Sequence, residues 1–208
     1  MFCMEMSGGK SARVPAAERR AELIAAALEE FALTGYHGTP VRRIAARVGV
    51  AQPYVFSLFE TKRELFIAAV ELGFSRVSDA FRAAVIAFEA GDSASSSVFA
   101  ALGASYVSLV QSDRALLMAQ LHAYSACDDP VIREHVRAAW TGLIELVRSL
   151  TNASEAELVN FFSFGMWLTV QAAIEGERSD ERRQPLAGAR MKFGGWTMTD
   201  SGSAPPTC

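Results

Sequence analysis

The stretch from Thr39 to Phe66, TPVRRIAARVGVAQPYVFSLFETKRELF, places the tightest limits on how this chain can fold. Thr39 is positioned to cap a short helix with Pro40 at its first position, where a missing N–H costs nothing. Val41, Ile44, Ala45 and Val48 fall at i, i+3, i+4 and i+7, one face of a helix about two turns long. Gly49 supplies the permissive backbone that a turn between two crossing helices needs. A second helix is expected from Gln52 to Phe59. Val50, Val55 and Phe59 turn inward onto Ile44 and Ala45, and Gln52, Pro53, Tyr54 and Ser57 turn to solvent. Thr61-Lys62-Arg63-Glu64 reads as a capping box that opens a third helix. The pattern is a helix-turn-helix, in which the second helix offers its N-terminal residues to a DNA major groove.

Composition fits such a head on a different body. The 208 residues are 50% hydrophobic, enough for a sizeable core, with a net charge of −3. Residues 10–63 carry nine Lys/Arg against five acids, and residues 64–208 carry eleven against seventeen. A basic head on an acidic body suits nucleic-acid binding through the head alone. Cys3, Cys127 and Cys208 are odd in number and far apart, and no Cys/His group has zinc spacing, so neither a disulfide framework nor a metal centre is expected. A reduced cytoplasmic setting is the simple reading, with redox sensing by Cys127 as its rival. The N-terminus lacks an apolar signal core. The most apolar run, Phe161 to Ile174, falls short of the roughly 20 residues that span a bilayer.

Thr39-Pro40-Val41-Arg42-Arg43-Ile44-Ala45, Gly49-Val50, Gln52-Pro53 and Phe59-Glu60-Thr61-Lys62-Arg63-Glu64-Leu65 resemble the DNA-binding domain of the TetR family of bacterial regulators. Phe31-Ala32-Leu33-Thr34-Gly35-Tyr36-His37-Gly38, just upstream, adds to the likeness, which covers Ala16 to Val70. The resemblance implies an all-α protein with an N-terminal three-helix helix-turn-helix domain and a larger helical domain that dimerises and binds a small molecule. The expected limits are 1–13 for a flexible arm, 14–61 for the DNA-binding domain, 62–176 for the body and 177–208 for a disordered tail.

Along the chain, Lys10 and Arg13 in the arm are placed to follow phosphates or enter a minor groove, or are simply disordered. A first helix from Pro15 to Leu33 is striped by Leu23, Ile24, Ala27, Leu28 and Phe31 and ended by Gly35. From Lys62 a long helix should run to about Glu89, with Gly73 free to bend it. Further helices are expected from Ser93 to Val110, from Asp113 to Ala126, from Pro130 to Thr151 behind an Asp129 cap, and from the Ser154-Glu157 capping box to Glu175. No strand-like alternation occurs.

Helix geometry and the resemblance together assign DNA-facing residues. Gln52 can pair with adenine, and Pro53 and Tyr54 can meet a thymine methyl. Ser57 shares that face, Arg42, Arg43 and Lys62 can hold phosphates, and the Thr39 hydroxyl can add a neutral contact. An ordinary solvated helix face is the rival reading for the two arginines. Phe56 stands where the family typically has a phosphate-touching tyrosine. Leu58 replaces a usual His or Tyr, and Ala51 replaces the usual capping serine.

The resemblance also implies a dimer, reading a palindromic operator. Val136, Leu143 and Val147 on the penultimate helix, and Phe161, Phe162, Gly165, Leu168, Thr169 and Ala172 on the last, are its candidate interface; the same residues filling an internal core is the alternative. Aromatic and Met residues suggest a cavity for a hydrophobic small molecule. The candidates are Phe81, Phe99, Leu102, Tyr106, Met118 and Leu121, with His122, Tyr124, Trp140, Met166 and Trp167. No Ser/His/Asp or Cys/His constellation is visible, so no catalysis, cofactor or membrane partner is expected. The expected function is a TetR-like regulator, most simply a repressor released by that ligand. The rivals are a regulator without a ligand, a helical enzyme with a vestigial head, and a protein-binding scaffold.

Overall fold

The computed structural model describes residues 15–175; the expected arm (1–13) and tail (177–208) lie outside it. Among the described residues the chain is all-α, with eight helices and no strand. They are α1 (Ala16–Gly38), α2 (Val41–Val48), α3 (Gln52–Leu58), α4 (Lys62–Glu89), α5 (Val98–Ser112), α6 (Arg114–Ser125), α7 (Pro130–Thr151) and α8 (Glu155–Glu175).

The capping signals do what their chemistry allows. The Thr61 hydroxyl accepts from Glu64 N–H at 3.1 Å, while Glu64 accepts from the Glu60 N–H at 2.8 Å. Asp129 accepts from the Val131 and Ile132 N–H groups. Ser154 and Glu157 cap each other. Each satisfies donors that a helix start leaves without partners. α5 is the exception to its expected start. Ser97 caps it, and Ser93 instead accepts from the Ser95 N–H, so the helix begins five residues later than Ser93 suggested.

Two glycines bear weight. Gly35 has φ 69° and ψ −178°, so it interrupts α1 near its end without ending it. A Cβ there would also lie 2.9 Å from the His122 ring of α6. Only glycine meets both demands. Gly73 is buried in α4, and a Cβ would meet Leu116 at 3.3 Å, so it allows close packing of α4 against α6.

A continuous core runs from head to body. Leu23, Phe31, Ile44, Val55 and Phe59 fill the head, and Phe66 joins them edge-on to Phe31 with ring centroids 4.8 Å apart. Further along α4, Phe74, Val77, Phe81 and Val85 enter the body core with Leu102, Leu116, Ile132 and Leu158. One helix therefore has its start in one core and its length in the other. At the seam Arg63 of α4 meets Asp129, the cap of α7, at 3.1 Å.

Candidate nucleic-acid interface and body cavity

In the head, Gly49 adopts a left-handed conformation (φ 72°) and its N–H returns to the carbonyls of Ala45 and Ala46, which turns the chain from α2 into α3. α3 is anchored by Val55, only 1% exposed. Steps of about 100° around a helix then place Pro53 and Ser57 opposite Val55, flanked by Gln52 and Phe56 on one side and Tyr54 on the other. All five are exposed. Ser57 donates to the Tyr54 carbonyl at 2.7 Å, leaving its oxygen free to accept.

The cations around this helix are less free than their number suggests. Arg42 is exposed and makes no ion pair among the described residues. Glu30 of α1, buried on the inner stripe, takes Arg47 onto Oε1 at 2.8 Å and Arg43 to within 2.9 Å of Oε2, the latter a charge contact without hydrogen-bond alignment. Arg47 also meets Glu29. Lys62 lies over the Tyr36 ring at 5.1 Å and points at the His37 carbonyl, 3.4 Å away; partial burial pulls its pKa down.

Thr39 departs from expectation. It is fully buried, and its hydroxyl donates to the carbonyls of Gly35 (2.8 Å) and Glu30 (3.1 Å) and lies 2.7 Å from the Thr34 hydroxyl. It neither caps α2, whose N-cap is Pro40, nor reaches solvent, where a phosphate would be. A hydroxyl that can fold back onto α1 carbonyls fastens the α1–α2 link.

In the body, a pocket of about 470 Å³, counted out to its open mouth, lies among α4 to α8. Phe81, Tyr106, Tyr124, Trp140 and Met166, five of the expected ligand residues, line it. The other six do not. Leu102 is fully buried, and His122 packs against Gly35 at the seam. Phe99 meets Phe161 at a tilt, and Trp167 stacks on Phe164. Met118 and Leu121 are half-buried elsewhere on α6.

The expected dimer residues fare differently again. Val136, Leu143 and Val147 are buried inside the single chain, at 6%, 4% and 0% exposure. Leu143, Phe161, Phe162, Gly165 and Leu168 face the pocket. Thr169 is buried and bonded to Tyr106, while Ala172 is half-buried. The physical reason is that the most apolar stripe of an amphipathic helix goes to its own core first.

Two polar residues escaped the sequence reading. Glu30 lies seven residues after Leu23 on the α1 stripe, and Gln120 lies four after Leu116 on the α6 stripe. A polar residue at an apolar position was the available signal in both. Among the described residues no His/Cys/Asp/Glu group could hold a metal, and no helix is long and apolar enough to cross a membrane.

Residues 23–69 match the family model of bacterial regulatory proteins, tetR family. The transcriptional activator FasR of Mycolicibacterium smegmatis is 41% identical over 59 residues, 28% of this chain and 27% of that protein. The match thus spans about a quarter of that relative's length. Among solved structures, the regulator FadR of Bacillus subtilis, in complex with stearoyl-CoA, superposes with a TM-score of 0.62 at 17% identity, over 76% of this chain and 89% of FadR. The fatty acid degradation regulator FadR of Bacillus halodurans gives 0.61 at 18%, over 77% and 87%. Residues 23–69 therefore match the tetR-family model, and the described all-α fold resembles that of solved TetR-like regulators.

Proposed function

We propose that this chain is a cytoplasmic, homodimeric transcriptional regulator, a repressor that reads a palindromic operator and leaves it when a hydrophobic small molecule enters the body pocket. The observation that carries this is α4. Its first turns, through Leu65 and Phe66, are part of the head core, and Val77 and Phe81 on the same helix wall the pocket. A ligand that pushes on Val77 and Phe81 moves the base on which α3 stands, and a population shift between two body states then alters the spacing of two heads. Gln52, Pro53, Tyr54, Phe56 and Ser57 read the groove, Arg42 and Lys62 approach phosphates, and Arg43 is held back on Glu30. The head spans 14–61 and the body 62–176.

Dimerisation is assigned to the faces that remain exposed. Val159, Ser163 and Val170 recur along α8, while Ala138, Thr141 and Gly142 recur along α7, where a Cβ on Gly142 would meet nothing. Small residues allow two such helix pairs to approach closely. The stearoyl-CoA complex of a structural neighbour supports an apolar ligand.

FasR, named an activator, favours a second reading in which DNA-bound protein raises transcription. The test is selection of genomic fragments by the purified protein at two salt concentrations. One enriched inverted repeat with a steep salt dependence supports the proposal, and uniform weak binding refutes it. A reporter behind that repeat separates the two readings, since repressor and activator shift its output in opposite directions.

A further inference from the structure

The pocket wall is apolar, and none of the described residues lining it is charged. One region of it is different. Gln120 lines the pocket and is only 5% exposed. Its Oε1 lies 3.1 Å from the Tyr106 hydroxyl, which donates to it. That hydroxyl is also 2.6 Å from the Thr169 hydroxyl, which can reach the Gly165 carbonyl at 2.9 Å. The Tyr106, Gln120 and Thr169 side chains hold one another in place, across α5, α6 and α8. The Gln120 amide N–H groups are left with no hydrogen bond among the described residues.

The Tyr124 hydroxyl, on the same helix one turn later, also makes no hydrogen bond among the described residues. Burial, then the nearby Tyr106, push its pKa well up, so it stays protonated and remains a donor. Neither group is fully enclosed, so both donors open onto the pocket space. Two unpaired donors at one wall of an apolar pocket form an arrangement that a ligand oxygen would complete.

Resting on the ligand-binding reading above, we propose that the pocket selects a neutral apolar molecule bearing a carbonyl-type oxygen, which accepts from the Gln120 amide and the Tyr124 hydroxyl. A charged carboxylate is disfavoured because none of the described lining residues is a cation that could neutralise it. A plain hydrocarbon fills the space but leaves both donors unpaired. Sites built this way discriminate mainly against analogues that lack the bonding atom.

The test uses the full chain and three probes of similar length, 2-undecanone, undecane and undecanoate. Binding is read by Trp140 fluorescence and by the shift in melting temperature. The expected result is that the ketone binds at least tenfold tighter than either of the others. Gln120→Met and Tyr124→Phe, each checked for an unchanged melting profile without probe, should narrow the ketone-to-alkane ratio to below about threefold while leaving undecane binding intact. Equal binding of ketone and alkane to the unaltered protein overturns the donor assignment but leaves the pocket standing. Tighter undecanoate binding overturns the neutral-ligand class. Failure of all three to bind overturns the proposal together with the ligand-binding reading beneath it.

Discussion

Gly35→Ala tests the seam between head and body, because two separate costs meet at that residue. With φ 69° and ψ −178°, its backbone lies in a region that is essentially reserved for glycine, and holding alanine there costs about 1–3 kcal/mol. The new Cβ would sit 2.9 Å from His122 Nδ1, so the ring must turn, at roughly 0.5–1.5 kcal/mol for an off-rotamer side chain. Against this, alanine stiffens the unfolded chain, which returns about 0.4–1 kcal/mol. Mid-range values give a net loss of about 2 kcal/mol, which for a chain of this size lowers the melting temperature by about 4–8 °C. Thermal melting of Gly35→Ala, His122→Ala and the double variant separates the two costs. The double variant should recover the ring term and keep the backbone term. A Gly35→Ala protein that melts within a degree of the parent refutes both. Full rescue by His122→Ala refutes the backbone term alone.

Glu30→Gln keeps the side chain's shape but removes the charge that holds Arg43 and Arg47. Both arginines are more than a third exposed, so the expected loss is about 1–2 kcal/mol, below the 3–5 of a fully buried pair. The freed guanidinium groups should steepen the log–log salt dependence of DNA binding by about one to two units; an unchanged slope would show that the arginines face no phosphate. Phe56 is 41% exposed on the reading face, and Phe56→Tyr supplies the missing donor; one added hydrogen bond of about 1 kcal/mol should tighten binding to the selected DNA about fivefold, and unchanged or weaker binding would place residue 56 away from the backbone. Asp129 is pushed up by burial, but the Ile132 N–H, Arg63 and the Val131 N–H more than offset this, so its folded pKa lies below the ordinary 3.8. A depressed folded pKa means stability that is present above that value and lost as pH falls through the folded pKa. Asp129→Asn should therefore lower stability near neutrality and flatten the fall below about pH 4, as seen in urea melts; parallel pH profiles would refute the linkage.

How much of this was legible in the sequence depended on whether a signal was local. Helix starts marked by a cap were readable, because Thr61, Asp129 and Ser154 act within one turn of themselves. α5 was harder, because a run of serines offers several caps and only packing chooses Ser97 over Ser93. Thr39 misled for the opposite reason: its capping position is local, but its partners are carbonyls of the preceding helix. The reading face of α3 was visible once Val55 was recognised as its anchor. The wall of the pocket was not, because Phe81 and Phe99 look alike in sequence and only the fold brings Phe81, and not Phe99, to the pocket lining. The same limit moved Leu143 and Val147 from an expected interface into the core.

The charge of the head shows why counting residues is a poor guide to how DNA would be held. Arg19 is paired with Glu22, Arg20 lies over the Phe59 ring, and Arg63 is turned to Asp129. Arg43 and Arg47 share Glu30, and Lys62 leans on Tyr36. Exposed pairs such as Arg19–Glu22 are worth about 0–1 kcal/mol and yield readily to a phosphate. The Glu30 cluster does not, because releasing an arginine leaves part of a buried charge uncompensated. Glu30 therefore has two effects at once. It fixes α2, and so the turn that aims α3, against α1, and it withholds two guanidinium groups from the backbone. Arg42, exposed and without an ion pair among the described residues, becomes the principal cation available near α2. With fewer backbone contacts, discrimination falls more heavily on Gln52, Tyr54 and Ser57 at the base edges, the part of the interface that carries sequence information.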